Sequence, residues 1–208
     1  FGDGIEGSKN KKECEREVDS FHALKLAQRL RAVNGHIDEP SPMPQGAPGM
    51  QLNLIAPICD TGYGTVGLNL LLALARAGHE PALFPRGQIE ADNAHAEVIQ
   101  AALARRAGPG LEAPTVTLAQ HAAPDLLYRV GRGPHAVFVI FELDTFEPDE
   151  LYRIGSADLI ITCSQWGAEV LAKNGLPGER LRVVPLGVDS DLFTNPPNPA
   201  PRKDNETL

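Results

Sequence analysis

Cysteine, positive charge and long apolar runs are all in short supply in this chain, and each shortage removes a class of function. Three cysteines in 208 residues, Cys14, Cys59 and Cys163, are odd in number and widely spaced, which fits neither a disulfide framework nor a metal-ligand pattern. A reducing, cytoplasmic setting is the matching expectation. Nineteen Lys and Arg against 27 Asp and Glu give a formal net charge of -8. That excludes nucleic acid, or an anionic membrane, as a partner recruited by bulk charge. No apolar run approaches the roughly 20 residues of a transmembrane helix, and no signal peptide opens the chain. No transmembrane segment is expected, and any membrane association would be peripheral, at the inner face. The six histidines include no pair at i, i+4 and none with metal-like company, so no metal site is expected either. What remains is a chain with 42% hydrophobic residues, close to a globular average and enough for one core.

The most informative stretch runs from Leu52 to Gly78. An apolar run, Leu52-Asn53-Leu54-Ile55-Ala56-Pro57-Ile58, has the length of a buried strand. Gly62-Tyr63-Gly64-Thr65-Val66-Gly67 follows as a glycine-rich turn, and Leu68 to Ala77 reads as a helix closed by Gly78. Strand, glycine turn and helix in that order suit a negatively charged group, because glycines admit a ligand to the backbone and free helix N–H groups point at it. The spacing is that of G-x-G-x-x-G in its required context. The same pattern also serves as a plain tight turn opening any α/β domain.

Around this stretch the chain divides into three. Residues 1–49 carry an amphipathic helical stretch from Lys9 to Val33, then a Pro/Gly/Ser linker from Asp38 to Gly49. Residues 50–193 alternate strands and helices: strands at Glu80–Phe84, Thr115–Leu118, Ala136–Phe141, Asp158–Thr162 and Leu181–Val184, helices at His95–Ala107, Asp149–Ile154 and Gln165–Lys173. Residues 194–208 form a Pro-rich linker. Such alternation predicts an α/β fold, a Rossmann-like parallel sheet with helices on both faces, preceded by a helical extension. Ligands of such sheets bind beyond the carboxyl ends of the strands. The loops at 59–67, 142–147, 163–167 and 185–189 therefore share one rim. The chain starts at Phe1 and stops after a Pro-rich stretch, and a piece of a longer protein is expected.

A dinucleotide site needs an acid about 20 positions beyond the glycine turn. Pro85, Arg86 and Gly87 stand there instead, which disfavours NAD. Arg86 could receive an NADP 2′-phosphate or be a solvated loop charge, so an NADP-type oxidoreductase stays open, as does a non-catalytic Rossmann-like binding domain.

The second half adds a resemblance. Asp158 to Phe193 reads DLIITCSQWGAEVLAKNGLPGERLRVVPLGVDSDLF. An apolar strand ending at Ser164, a helix, Gly175, then Val183, Pro185, Gly187, Val188 and Asp189, with Phe193 shortly after, resembles the end of the N-terminal domain of family 4 glycosyltransferases of the GT-B fold. Phe141-Glu142-Leu143-Asp144 also resembles the acceptor-side loop of some of these enzymes. The resemblance spans about residues 50 to 195. It implies one half of a GT-B fold whose C-terminal domain, with the donor-holding residues, is missing. It implies as partners a nucleotide-diphosphate sugar donor, a sugar or lipid-linked acceptor and that missing domain, with no cofactor, retention of configuration, and no transferase activity in this piece by itself. The substrate-binding residues it implies are Gly62, Gly64, Thr65 and Gly67, whose backbone N–H groups would face the leaving diphosphate, with Ser164, Trp166, Gly187 and Asp189.

Other residues carry two readings each. Glu142, Asp144 and Glu147 crowd one rim loop; they bind acceptor hydroxyls or cap a helix, and Glu142 and Asp144 are the weak catalytic candidates. Trp166 stacks on a sugar or packs. His121 and His135, placed in loops near the acceptor side, are general-base candidates or solvated loop histidines. Asp189-Ser190-Asp191 spells D-x-D, yet falls after the last strand, where a cap or hinge fits better than a metal site. Cys59 and Cys163 read as buried small residues.

Overall fold

The computed structural model describes residues 49–108, 112–120 and 129–187. The helical stretch at 9–33, most of the linker, Val188, Asp189, Phe193, His121 and the Pro-rich tail lie outside the described residues. Within them the chain forms β1 (Gln51–Ala56), α1 (Gly62–Arg76), β2 (Glu80–Pro85), α2 (Ala96–Ala104), β3 (Thr115–Gln120), β4 (His135–Ile140), α3 (Pro148–Gly155), β5 (Leu159–Thr162), α4 (Gln165–Lys173) and β6 (Leu181–Val183). The strands make one sheet in the order β2-β1-β3-β4-β5-β6, every pair parallel. This is the Rossmann-like α/β arrangement expected from the alternating pattern. The order reverses direction between β1 and β3, and that switch point opens a crevice at the carboxyl ends of the strands.

Period-two alternation along the strands feeds two separate cores. From β4, Ala136 and Phe138 join Leu71 and Leu74 of α1 and Ile99 and Ala102 of α2. The intervening Val137 and Val139 face the other way, onto Ile154 of α3 and Val170 and Leu171 of α4. In β5, Leu159 and Ile161 belong to the first core and Ile160 to the second. Both faces of the sheet are thus covered, which is why β4 and β5 read as nearly unbroken apolar runs. Leu54, Leu71 and Ile160 are fully buried, each worth about 1.5–3 kcal/mol of transfer free energy.

Local signals set the ends. Helices α1 and α4 stop at Gly78 (φ 79°) and Gly175 (φ 92°), left-handed positions that glycine adopts without cost from a side chain. Beyond them His79 N–H donates to Leu74 O at 3.0 Å and Leu176 N–H to Leu171 O at 3.1 Å, the six-to-one bond of a Schellman end. In β2 the even-numbered amides face β1: Glu80 N–H donates to Met50 O and Arg86 N–H to Ala56 O, both at 3.0 Å. Pro81 and Pro85 occupy odd positions, turned away from β1, where no ladder bond is lost.

One boundary differs from the sequence reading by six residues. Helix α1 begins at Gly62, not Leu68, so the glycine-rich segment is the start of the helix rather than a turn ahead of it. Thr61 is the reason. Its extended backbone (φ -108°, ψ 162°) and its side chain, which accepts from Gly64 N–H, make it an N-cap, strong enough to start a helix through three glycines.

Candidate functional site

Because all six strands are parallel, the loops leaving them share one edge of the sheet, as expected for 59–67, 142–147, 163–167 and the start of 185–189. Gly62, Thr65, Glu142, Asp144, Trp166 and Gly187 are exposed there and Ser164 is half-buried. Residues 121–128, which follow β3, and Asp189 lie outside the described residues.

The three glycines of α1 play different parts. A Cβ on Gly64 would stand 2.1 Å from Cys59 O, and one on Gly67 would stand 2.1 Å from Pro57 O. These two are glycine because the helix is pressed onto the backbone that leaves β1. The room opened by the second glycine, which a dinucleotide pyrophosphate would need, is filled by Cys59. A Cβ on Gly62 would meet nothing within 4 Å, and this glycine faces open space. The amides divide in the same way. Gly64 N–H donates to Thr61 Oγ1 at 3.1 Å, and Thr65 N–H to Thr61 O at 2.8 Å. Gly67 lies in the second turn, where its amide points to the carbonyl four residues back. Of the four amides expected to face a bound group, then, only Gly62's lies outside the helix's own bonding. Its neighbour Tyr63, second in the helix, has an amide of the same kind. Tyr63 carried no role in the sequence reading; the available signal was an aromatic ring between two glycines at a helix start.

Tyr63 also links two loops. Its phenol is held above the ordinary value of 10.0, first by partial burial and second by the Glu142 carboxylate. The start of α1 and the loop after β4 are therefore within electrostatic reach of each other across the switch point. Glu142 belongs to a fixed loop. Asn174 Nδ2 donates to Asp144 O at 2.9 Å, and Glu147 N–H donates to Glu150 Oε2 at 2.9 Å. Glu147 thus serves as the cap of α3. Phe141 meets Phe146 edge-to-face at 5.0 Å and 75°, and Trp166 at 5.6 Å and 37°. Trp166 packs on one side and remains 49% exposed on the other.

Ser164 Oγ accepts from Gly167 N–H at 3.0 Å and is the N-cap of α4. A Cβ on Gly167 would stand 2.2 Å from Thr162 Oγ1, so this turn is also tightly packed. Past β6, Val184 N–H donates to Thr162 O at 2.9 Å, and Pro185, Leu186 and Gly187 emerge exposed on the same edge.

His135 is corrected. It is not in a rim loop but opens β4 at the amino-terminal edge, opposite the rim, and is 4% exposed. Its Nε2 lies 2.9 Å from Thr117 Oγ1, and its backbone N–H donates to Asp158 Oδ2 at 2.8 Å. Burial first, and Arg129 second, lower its pKa against the opposing pull of Asp158. A buried imidazole on the far edge cannot serve the rim as a base. The apolar run that follows it, Ala136 to Phe141, simply begins one residue earlier than its composition suggested.

Among the described residues no three His, Cys, Asp or Glu side chains converge as metal ligands would, and no helix is long and apolar enough to cross a membrane. A cavity of about 220 Å³ lies beside Asn53, Glu80 and Arg105. It sits near the amino-terminal ends of β1 and β2, away from the edge where open parallel sheets bind ligands; the rim remains the candidate site. No protein-family model, curated protein or solved structure matches the chain.

Proposed function

We propose that this chain is the acceptor-side half of a GT-B glycosyltransferase that uses a nucleotide-diphosphate sugar. The observation that carries the reading is a juxtaposition. The segment Val183-Val184-Pro185-Leu186-Gly187, which holds most of the signature described above, leaves β6 on the same edge as the uncovered helix start at Gly62. In that reading a second α/β unit, continuing from the Pro-rich tail, grips the nucleotide. The amides of Gly62 and Tyr63, backed by the α1 dipole, face the leaving diphosphate as its charge develops. The acceptor enters between the loop after β4 and the start of α4. In that reading these 208 residues by themselves transfer nothing, because the grip on the nucleotide comes from the second unit.

The test is a screen of the full-length protein for hydrolysis of UDP-, GDP- and ADP-sugars, with this chain as the inactive control. Turnover of one donor class by the full-length protein alone supports the reading. Tight NADPH binding by residues 50–208 that Arg86→Ala abolishes would replace it with the oxidoreductase.

A further inference from the structure

The edge of the sheet opposite the rim holds a concavity to which the transfer reading gives no task. A polar residue interrupts the apolar run of β1 there: Asn53, fully buried between Leu52 and Leu54. By strand register Asn53 stands beside Ala82, and Gln51 beside Glu80, so period-two alternation puts all four on one face of the sheet. With Arg105, just past α2, they line the cavity of about 220 Å³.

The Asn53 amide is the observation that points to a ligand. Its Nδ2 donates over long distances, to Ala113 O at 3.5 Å and to Thr115 Oγ1 at 3.4 Å. The orientation is forced. Ala113 O is a carbonyl, and Thr115 Oγ1 gives its own proton to Val130 O at 2.7 Å, so both neighbours only accept. Oδ1 is therefore turned from both, and among the described residues it has no donor. Buried polar atoms are nearly always paired, and an acceptor stripped of water and left unpaired is costly. A lone water needs about 10–15 Å³, so a cavity of this size holds a molecule of several heavy atoms.

The rest of the lining selects that molecule. Around Asn53 the buried part is apolar, Leu52, Ala82 and Ala113, and the exposed mouth carries one charge of each sign, Glu80 and Arg105. Gln51 Nε2 steadies Glu80 by donating to its Oε2 at 3.3 Å. Asn53 Oδ1 and the Glu80 carboxylate are both acceptors and call for an N–H donor. Arg105 calls for a carboxylate, which a guanidinium grips in a fork. A phosphate would answer Arg105 and meet like charge at Glu80. An amine alone would leave Arg105 unmatched, and an uncharged molecule would leave both charges so. One ammonium and one carboxylate on a short apolar skeleton describe an α-amino acid with a small side chain.

We infer that this cavity binds a small zwitterionic α-amino acid, its ammonium at Asn53 Oδ1 and Glu80 and its carboxylate at Arg105. The site lies away from the rim and does not rest on the transfer reading. In the test this chain, isotopically labelled at its asparagine side-chain nitrogens, is titrated by NMR with L-alanine, L-serine and L-valine. Propylamine and propionate, which each carry one of the two charges, are titrated alongside. At least one amino acid is expected to shift the Asn53 amide resonance saturably, and to bind at least about tenfold more tightly than either single-charge compound. Asn53→Ser identifies that resonance by its loss. Glu80→Gln and Arg105→Gln, both at exposed positions, each weaken binding about tenfold, the loss of one charge-assisted hydrogen bond. Both leave the melting temperature of the free protein level. No saturable shift at Asn53 with any of these amino acids overturns the site. So does equal affinity for a single-charge compound, or unchanged binding in either charge variant. Amino-acid binding at Asn53 upholds the site even where the full-length protein hydrolyses no sugar-nucleotide.

Discussion

Partial burial first, and the Glu142 carboxylate just beyond β4 second, raise the pKa of the Tyr63 phenol at the start of α1. Two loops that are far apart in sequence thereby share one electrostatic environment at the switch point of the sheet. Glu142→Gln removes that contribution and leaves only burial, so the Tyr63 pKa falls toward 10.0 without reaching it. Tyrosinate absorbance between pH 9 and 12, with Tyr63→Phe subtracted to isolate this phenol, measures the change. The folded-state pKa lies above the unfolded one, so the protonated phenol favours the fold. That stability is present in full below about pH 10 and is lost as pH rises through the folded value. The loss is smaller in Glu142→Gln.

Gly62 permits a substitution that separates ligand binding from folding. It is the first residue of α1, a position where proline is favoured because the amide has no helical partner. The residue before it, Thr61, already has ψ 162°, as a pre-proline residue requires. Gly62→Pro therefore removes one N–H while holding the melting temperature level or raising it slightly. On the proposed transfer reading, in which that amide faces the leaving group, it lowers donor turnover by the full-length protein roughly 10²–10³-fold. Unchanged turnover by the Gly62→Pro protein would remove the helix start from the proposed mechanism.

The other two glycines respond in the opposite sense. Gly64→Ala and Gly67→Ala drive a methyl group to within 2.1 Å of Cys59 O and Pro57 O. Each variant unfolds at lower denaturant concentration, by about 1–3 kcal/mol. Gly62→Ala, with open space around it, stays close to wild type.

His135 makes stability depend on pH at the edge away from the site. Its folded pKa lies below the unfolded value of 6.5, so the neutral ring favours the fold. The contribution is complete above about pH 6.5 and declines as pH falls below it, through the folded value. The melting temperature should drop between pH 7.5 and 5, and the drop should shrink in His135→Gln. An equal drop in both proteins would mean that other groups carry the dependence.

The caps give a fifth measure. Thr61→Ala and Ser164→Ala each remove a side-chain acceptor from a helix start, and each costs about 1 kcal/mol in denaturant unfolding.

Much of the fold could be read from residues whose local chemistry has one outcome. Ser164 followed by a helical run, Asn174-Gly175 at its end and the β-branched run before it fixed α4 and β5 to within a residue or so, because cap, stop and strand signals agreed. The start of α1 could not be read in this way. Helix propensity counts glycine against a helix, and the Thr61 cap together with close packing of Gly64 and Gly67 on Cys59 and Pro57 outweighs that. His135 was misplaced for a related reason. A histidine at a strand boundary reads as polar punctuation, and its burial depends on Thr117 and Asp158, which no local pattern brings to it. The rim itself followed from the alternation of strands and helices, whereas the pairing of Tyr63 with Glu142 depends on strand order, which periodicity does not encode.

The two prolines of β2 have a consequence beyond their own strand. A chain arriving alongside β2 would look for amides at positions 81, 83 and 85 and find only that of Leu83. Two of three donors are absent, so a seam there would be weakened. The sheet is thus blunted by covalent chemistry on the β2 flank, while β6 itself contains no proline. If copies of this domain ever join strand to strand, or misassemble when concentrated, the β2 flank is poorly equipped to take part.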